Sequence, residues 1–329
     1  MKKISYSSAI LEAYNYLLEN HSEFFIIGQG LWSPWYVGAT MRDLDKKFGK
    51  DRVIDCPVSE YATTGAAVGA SMCGYKPMIV HPRVDFMLLA VDQIVTQAAK
   101  WRYMFGGNSS APLTVRGIIN RGGEQGAQHS QSLHSWFAHI PGLRVVMPYS
   151  PNDARDLLIS SVLSNDPVLF IDDRWLYEVE ENYQEIKLID LENIKPKVIN
   201  SGSDITIVGI SHSVKLILDA LKITENISAE VIDLRVANPI DYDSIIRSVN
   251  KTGKLLVVDG DWSSCGLSSE IISSVMEKIE INKIKSKPVR ITLPECPAPT
   301  SKQLEKLYYI SPEKISKEII KMINIETVN

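Results

Sequence analysis

Glu60 is the residue around which chemistry gathers. It sits at the mouth of the stretch "DCPVSEYATTGAAVGASMCGYKPMIVHPRVDF", residues 55–86, which is otherwise apolar and punctuated by glycine. The short β-rich run "RVIDCPVSE" is broken by Pro57, and beyond Glu60 the residues turn small: Ala62, Gly65, Ala66, Ala67, Gly69, Ala70 and Ser71. Small residues at helical spacing let another backbone come close. A carboxylate in the first turn of such a helix has its ionised form favoured by the helix dipole, while burial pushes its pKa the other way. An ordinary helix-terminal glutamate carries the same signature, because structural ion pairs imitate sites.

His129, in "GAQHSQ", follows the glycine run "RGGEQG". Histidine titrates near neutrality and can protonate or orient a carbonyl or carboxylate. His134 and His139, on the helix that follows, read as structural. Closer to Glu60 in sequence is "HPR", His81 to Arg83, and an arginine there suits a carboxylate or a phosphate. Gln29 precedes "GLWSPWYVG", whose Trp32 and Trp35 either face a sugar ring or form a packed core pair. Phe86, taken alone, is a core phenylalanine. Cys56, Cys73, Cys265 and Cys296 are scattered, with no C-x-x-C pair and no histidine at zinc-ligand spacing, which predicts reduced, partly buried thiols and no metal site.

The positioning elements follow from periodicity. Tyr6, Ile10, Ala13, Tyr14, Leu17 and Leu18 form an i, i+3, i+4 stripe over residues 5–20, an amphipathic helix. "FFIIG" predicts a strand buried on both faces of a parallel sheet. Helix and strand signals then alternate through "ATMRDLDKKFG", "RVID", the Glu60 helix, "PMIV", a long helix over 84–104, "APLTVRGI", "SLHSWFA", "LRVVM", "PNDARDLLISSVLS" and "PVLFI". That rhythm is α/β with a mainly parallel sheet, whose ligands bind beyond the carboxyl ends of the strands. Residues 176–202 lose the period and read as a linker with a few edge strands. A second, smaller α/β domain over 203–329 alternates "DITIVGI", "AEVIDL", "KLLVVDG" and "PVRITL" with helices. The expected division is 1–175, 176–202 and 203–329.

With 329 residues the chain is long enough for two cores. Its 45% hydrophobic and 22% charged content is that of a soluble globular protein, and a net charge of −4 gives no reason to expect nucleic acid or an anionic membrane as partner. No run approaches a membrane span and the first residues lack a signal-peptide core, so a cytoplasmic location is expected.

Four stretches together resemble the beta subunit of the thiamine-diphosphate-dependent decarboxylase component of 2-oxo acid dehydrogenases. They are "PVSE" with "GAAVGASMCGYKP", then "DFMLLAVDQIVTQAAKWRYMFGG", "AQHSQSLHSWFAHIPGLRVVMPYSPNDARDLL" and "LLVVDGDWSSCGLSSEI", and they span nearly the whole chain. More distantly the arrangement resembles the last two domains of transketolase. The resemblance implies two three-layer domains: a pyrimidine-binding domain with a mainly parallel sheet, and a transketolase C-terminal-like domain. It implies thiamine diphosphate as cofactor, with Glu60 stabilising the tautomer in which the aminopyrimidine acts as base. It further implies Phe86 packing on the aminopyrimidine and His129 facing the substrate.

The diphosphate and magnesium of such enzymes are held by a "GDG" and a downstream asparagine, hard oxygen donors for a hard cation. This chain has only "DGDW", Asp259 to Trp262, which matches a non-catalytic glycine-turn of the last domain. Magnesium is therefore expected on an alpha-type partner subunit, in an α2β2 assembly whose beta–beta contact uses the second domain and the Gly65–Gly74 surface. A lipoyl-bearing acyltransferase is a further implied partner. Two departures from the family leave the substrate open: Gln29 replaces an acidic residue, and "HPR" replaces a glutamate and an apolar residue. Gln29, His81 and Arg83 are the substrate-side candidates. The alternative reading is a split transketolase-like enzyme moving a two-carbon ketol unit to a sugar or sugar nucleotide. A non-catalytic scaffold is the third, against which the retained Glu60, Phe86 and His129 argue.

Overall fold

The computed structural model describes residues 2–324. The chain forms two compact units, Met1–Arg121 with Gln128–Ile194, and Gly122–Ala127 with Lys195–Asn329.

In the first unit β1 (Lys3–Ser5) leads into α1 (Tyr6–Asn20). The Ser5 hydroxyl accepts from the Ser8 amide at 3.3 Å and so satisfies one of the free donors at the helix start. The stripe Tyr6, Ile10, Ala13, Tyr14, Leu17 and Leu18 is buried, as the spacing requires, and α1 packs on α6 (Pro151–Leu163). The strands are β2 (Phe24–Gly28), β3 (Val53–Asp55), β4 (Lys76–His81), β5 (Thr114–Ile119), β6 (Arg144–Val146) and β7 (Val168–Asp173). Between them lie α2 (Leu44–Phe48), α3 (Glu60–Met72), α4 (Ala99–Met104) and α5 (His134–Ala138). Within this unit the order is β6-β7-β5-β4-β2-β3, with every pair parallel. The chain runs from β2 out to β3, then crosses back to β4 on the other side of β2. A reversal of this kind opens a crevice beyond the strands' carboxyl ends, where ligands of such sheets bind.

Two expectations change here. β2 is buried on one face only: Phe25 and Ile27 are partly exposed, and Phe25 meets the half-exposed ring of Tyr75 edge to face at 5.9 Å. The helix over 84–104 is not uniform. It is a 3-10 turn at Phe86–Ala90, a π-helix at Asp92–Ala98 and only then α4. A Cβ built on Gly65 of α3 would lie 3.5 Å from Cγ of Gln93 in the π-wound segment, an ordinary contact distance, so α3 and that segment pack side by side. π-winding of this sort gathers at functional sites.

A polar cluster lies inside the apolar core. Arg116 of β5 is fully buried and grips Asp172 of β7 with two bonds, Nε to Oδ1 at 2.9 Å and Nη2 to Oδ2 at 2.7 Å. Its Nη1 donates to the Tyr14 hydroxyl and to Thr40, and the Tyr177 hydroxyl donates to Asp172 at 2.7 Å. Buried charge is tolerated because every donor finds an acceptor.

After β8 (Glu180–Asn182), which pairs antiparallel with β1, the second unit contains β9 (Lys197–Asn200), β10 (Ile205–Gly209), β11 (Ala229–Asp233), β12 (Val236–Asn238), β13 (Leu255–Trp262) and β14 (Val289–Leu293). Its helices are α7 (His212–Lys222), α8 (Tyr242–Thr252), α9 (Leu267–Met276), α10 (Lys302–Tyr308) and α11 (Pro312–Asn324). The sheet order is β14-β13-β10-β11-β9, parallel except for β9. Ile205, Ile207, Val231, Leu256 and Val258 meet Ile315, Ile319 and Met322 of α11 in its core. "DGDW" lies inside β13 rather than in a turn, and Asp259 there accepts from the Ser268 amide at 3.0 Å, capping the start of α9. Cys73, Cys265 and Cys296 are exposed rather than partly buried; only Cys56 is sheltered. Among the described residues no helix is long and apolar enough to cross a membrane.

Candidate active site

Three neighbouring strands end together. β2 stops at Gly28, β3 at Asp55 and β4 at His81, and the residues just beyond them, Gln29, Cys56 to Pro57, Ser59 to Glu60 and Pro82 to Arg83 with Phe86, line one pocket of about 370 Å³ including its open mouth. It lies where the strand order reverses. A Cβ on Gly28 would come within 2.6 Å of the Val80 carbonyl oxygen, so β2 and β4 can run this close only with glycine there. The Asp55 carboxylate then accepts from the Gly30 amide at 2.7 Å and turns the following loop back over the pocket. Gly30 has φ +70, and any Cβ on it would strike the Tyr36 ring at 2.2 Å. Tyr36 packs there and its hydroxyl accepts from Gln29 Nε2 at 3.2 Å.

Glu60 is the first residue of α3 and lines the pocket. Ser59 before it makes no side-chain cap, and the Glu60 carboxylate receives no hydrogen bond from the described residues. It is a partly buried acid held at a helix start and open to whatever enters. Phe86 lines the same pocket and stays 39% exposed, so it is not the plain core phenylalanine that its sequence alone suggests. Its ring meets His129 edge to face, centroids 5.3 Å apart at 81°. His129 is thus brought to the pocket's edge through Phe86, and is not itself among the lining residues.

His81 and Arg83 also line the pocket, with Gln29 opposite. His81 is buried and shares a hydrogen bond with Thr64 of α3 at 3.3 Å. Burial pushes its pKa down to about 4, so at neutral pH it is an uncharged part of the wall. The unfolded chain takes up this proton near pH 6.5 and the folded chain only near 4. Stability from this residue is therefore full above pH 6.5 and falls by about 3 kcal/mol in total as the pH drops to 4. Urea unfolding at a series of pH values checks this: His81→Asn should flatten the difference between neutral and acid stability by about that amount.

Sequence reading missed Tyr36 and Cys56 as pocket residues. Burial pushes the Cys56 thiol up, against a partly offsetting hydrogen bond from Thr63, so it is a neutral thiol at physiological pH. The signal for Tyr36 was available in the glycine at 30, whose lack of a side chain makes room for a ring. Trp32 and Trp35 are neither in the pocket lining nor a core pair. Trp32 donates to the Val53 carbonyl at 2.8 Å under the Lys50 ammonium, and Trp35 is 76% exposed. His134 is buried against Ser132 at 2.9 Å.

Residues 2–179 match the family described as "Transketolase, pyrimidine binding domain", and residues 194–315 the family described as "Transketolase, C-terminal domain". The chain is 34% identical to "Pyruvate dehydrogenase E1 component subunit beta, mitochondrial" of Saccharomyces cerevisiae, over 99% of this chain and 90% of that protein. It is 35% identical to "Acetoin:2,6-dichlorophenolindophenol oxidoreductase subunit beta" of Cupriavidus necator, over 96% of each. The chain belongs to this transketolase-like family of beta subunits. Among solved structures it is similar to "Split gene transketolase, inactive beta4 tetramer", with a TM-score of 0.78 over 98% of this chain and 99% of that one; at 18% identity that likeness shows the fold. In this beta-subunit chain the whole pocket, from Gly28 to Phe86, falls within the residues matched as a pyrimidine-binding domain.

Proposed function

We propose that the chain is the beta subunit of a two-subunit thiamine-diphosphate-dependent enzyme that decarboxylates a 2-oxo acid and transfers the acyl group. The observation that carries the reading is the Glu60 carboxylate, without a hydrogen-bond partner among the described residues, opening into a pocket at the reversal of strand order beside the exposed ring of Phe86. A carboxylate at one edge and an aromatic wall fit an aminopyrimidine. When bound, the cofactor supplies a carbon nucleophile and an electron sink. With the cofactor bound, Glu60 would hold a proton at its carboxyl oxygen toward the aminopyrimidine, Phe86 would orient that ring, and His129 would present its imidazole to the substrate carbonyl or carboxylate. Gln29 and Arg83 line the same opening and serve as donors to an anionic substrate, with neutral His81 behind them.

The partner is an alpha-type subunit. Magnesium and the diphosphate are assigned to that subunit because this chain's "DGDW" lies within β13 and no "GDG" with a downstream asparagine stands in its sequence. The proposed assembly is α2β2, with domains at 1–175 and 203–329 and a linker at 176–202. The exposed Ala62, Ala66 and Gly69 of α3 support a close helix contact there. A lipoyl-bearing acyltransferase as acceptor partner and a cytoplasmic location belong to the same proposal. Arg83 at the pocket favours a second reading, a split transketolase-like enzyme whose acceptor is a sugar phosphate or sugar nucleotide.

Calorimetry on the isolated chain should detect no micromolar binding of thiamine diphosphate, and addition of the co-purified alpha-type partner should restore it. Tight binding by the chain alone would sink the half-site reading. In the reconstituted complex, consumption of 2-oxo acids supports the first reading and consumption of ketose phosphates the second.

A further inference from the structure

The segment that carries His129 is tied down from a point that the proposed mechanism does not use. Asp85 immediately precedes Phe86 and is only 5% exposed. Its Oδ1 accepts from the Gln131 backbone amide at 3.1 Å and from Gln131 Nε2 at 3.0 Å, 46 residues away in the chain. Two donors on one carboxyl oxygen make a two-pronged clamp on Gln131. Oδ2 is buried and has no donor among the described residues, and neither has the Ser130 hydroxyl, so Gln131 is the grip on this segment from Asp85.

Asp85 is itself fixed. The Val84 amide donates to the Ile118 carbonyl at 2.9 Å at the end of β5, and the Phe86 and Met87 amides close a turn onto Arg83 and Val84 at 3.2 Å each. Burial pushes the Asp85 carboxyl up, and the Gln131 bonds pull it back, followed by the charge of His129 close by. The next residue, Phe86, places its ring against the His129 ring. One dipeptide therefore holds both sides of the imidazole's setting: its chain through Gln131 and its ring through Phe86.

We propose that Asp85 is the positioning residue for His129, clamping Gln131 so that the imidazole stays perpendicular to, and in contact with, the Phe86 ring. The functional weight of this inference rests on the role of His129 proposed above, but the geometry can be tested without it. The 329-residue chain, with its six histidines isotopically labelled, is examined by NMR. In the unmodified chain the His129 ring protons carry a ring-current shift that Phe86→Ala abolishes. Asp85→Ala should collapse the same shift and speed hydrogen exchange at the Gln131 amide by about tenfold, the loss of one net hydrogen bond. Asp85→Asn keeps an acceptor oxygen and should restore most of both signals. Gln131→Ala, which removes only the side-chain bond, should give an intermediate loss, and it serves if Asp85→Ala does not fold.

An unchanged His129 shift in both Asp85→Ala and Gln131→Ala would overturn the proposal. In the reconstituted enzyme Asp85→Ala should lower kcat with little change in the cofactor's Kd, and Asp85→Asn should recover much of it. If the shift collapses while His129→Ala leaves turnover intact, the clamp stands and the catalytic role of His129 falls. If turnover falls while the shift is unchanged, Asp85 acts by another route and the positioning claim is overturned.

Discussion

Glu60→Gln lowers turnover of the enzyme reconstituted with its alpha-type partner by about 10²- to 10⁴-fold, the usual loss when a positioned proton-transfer group is removed. The substitution keeps size and one hydrogen-bonding oxygen but cannot exchange an acidic proton. Folding should be spared. Glu60 is at the first position of α3 with no hydrogen-bond partner for its carboxylate among the described residues, so the main loss is its interaction with the helix dipole, roughly 0.3 to 1 kcal/mol. Parallel steady-state kinetics and thermal melts check both halves. A turnover loss matched by a collapse of the thermal midpoint would mean that Glu60 is structural.

Asp172→Ala should cost about 3 to 5 kcal/mol of stability, because it strands a buried cation. Arg116 has no exposure, and Asp172 supplies both of its carboxylate contacts. The Tyr14, Thr40 and Tyr177 hydroxyls remain as acceptors, but neutral hydroxyls do not balance a charge. The Tyr177 hydroxyl also loses its acceptor; burial first and the Asp172 charge second push its pKa well up, so it stays a protonated donor. Replacing the pair together, as Arg116→Met with Asp172→Leu, should recover most of the loss, since removing both partners leaves no unpaired charge. Urea unfolding measures both variants. A loss below about 1 kcal/mol for Asp172→Ala would show that water or neighbouring groups compensate the guanidinium.

What was legible in the sequence is what period and local chemistry carry. The α1 stripe, the Glu60 helix start behind Pro57 and the strand–helix alternation are written in nearest-neighbour spacing. Strand order is not. Nothing in "FFIIG" or "PMIV" says that β4 returns to the far side of β2, yet that reversal creates the pocket. The π-winding at Asp92–Ala98 also escaped, because a helical pattern of apolar residues does not fix which carbonyl each amide chooses. Asp85 and Tyr36 take their meaning from Gln131 and Gly30, contacts that appear only on folding. Arg116 did leave a trace: an arginine inside the apolar strand "TVRGII" must find a buried partner.

The most direct test of the whole account is hydrogen–deuterium exchange at the thiazolium carbon of thiamine diphosphate bound to the reconstituted complex, compared between the unmodified chain and Glu60→Gln. Slowing by at least about 10²-fold, with cofactor still bound, is the predicted result. Exchange as fast as in the unmodified complex would contradict it and return Glu60 to an ordinary helix-terminal residue.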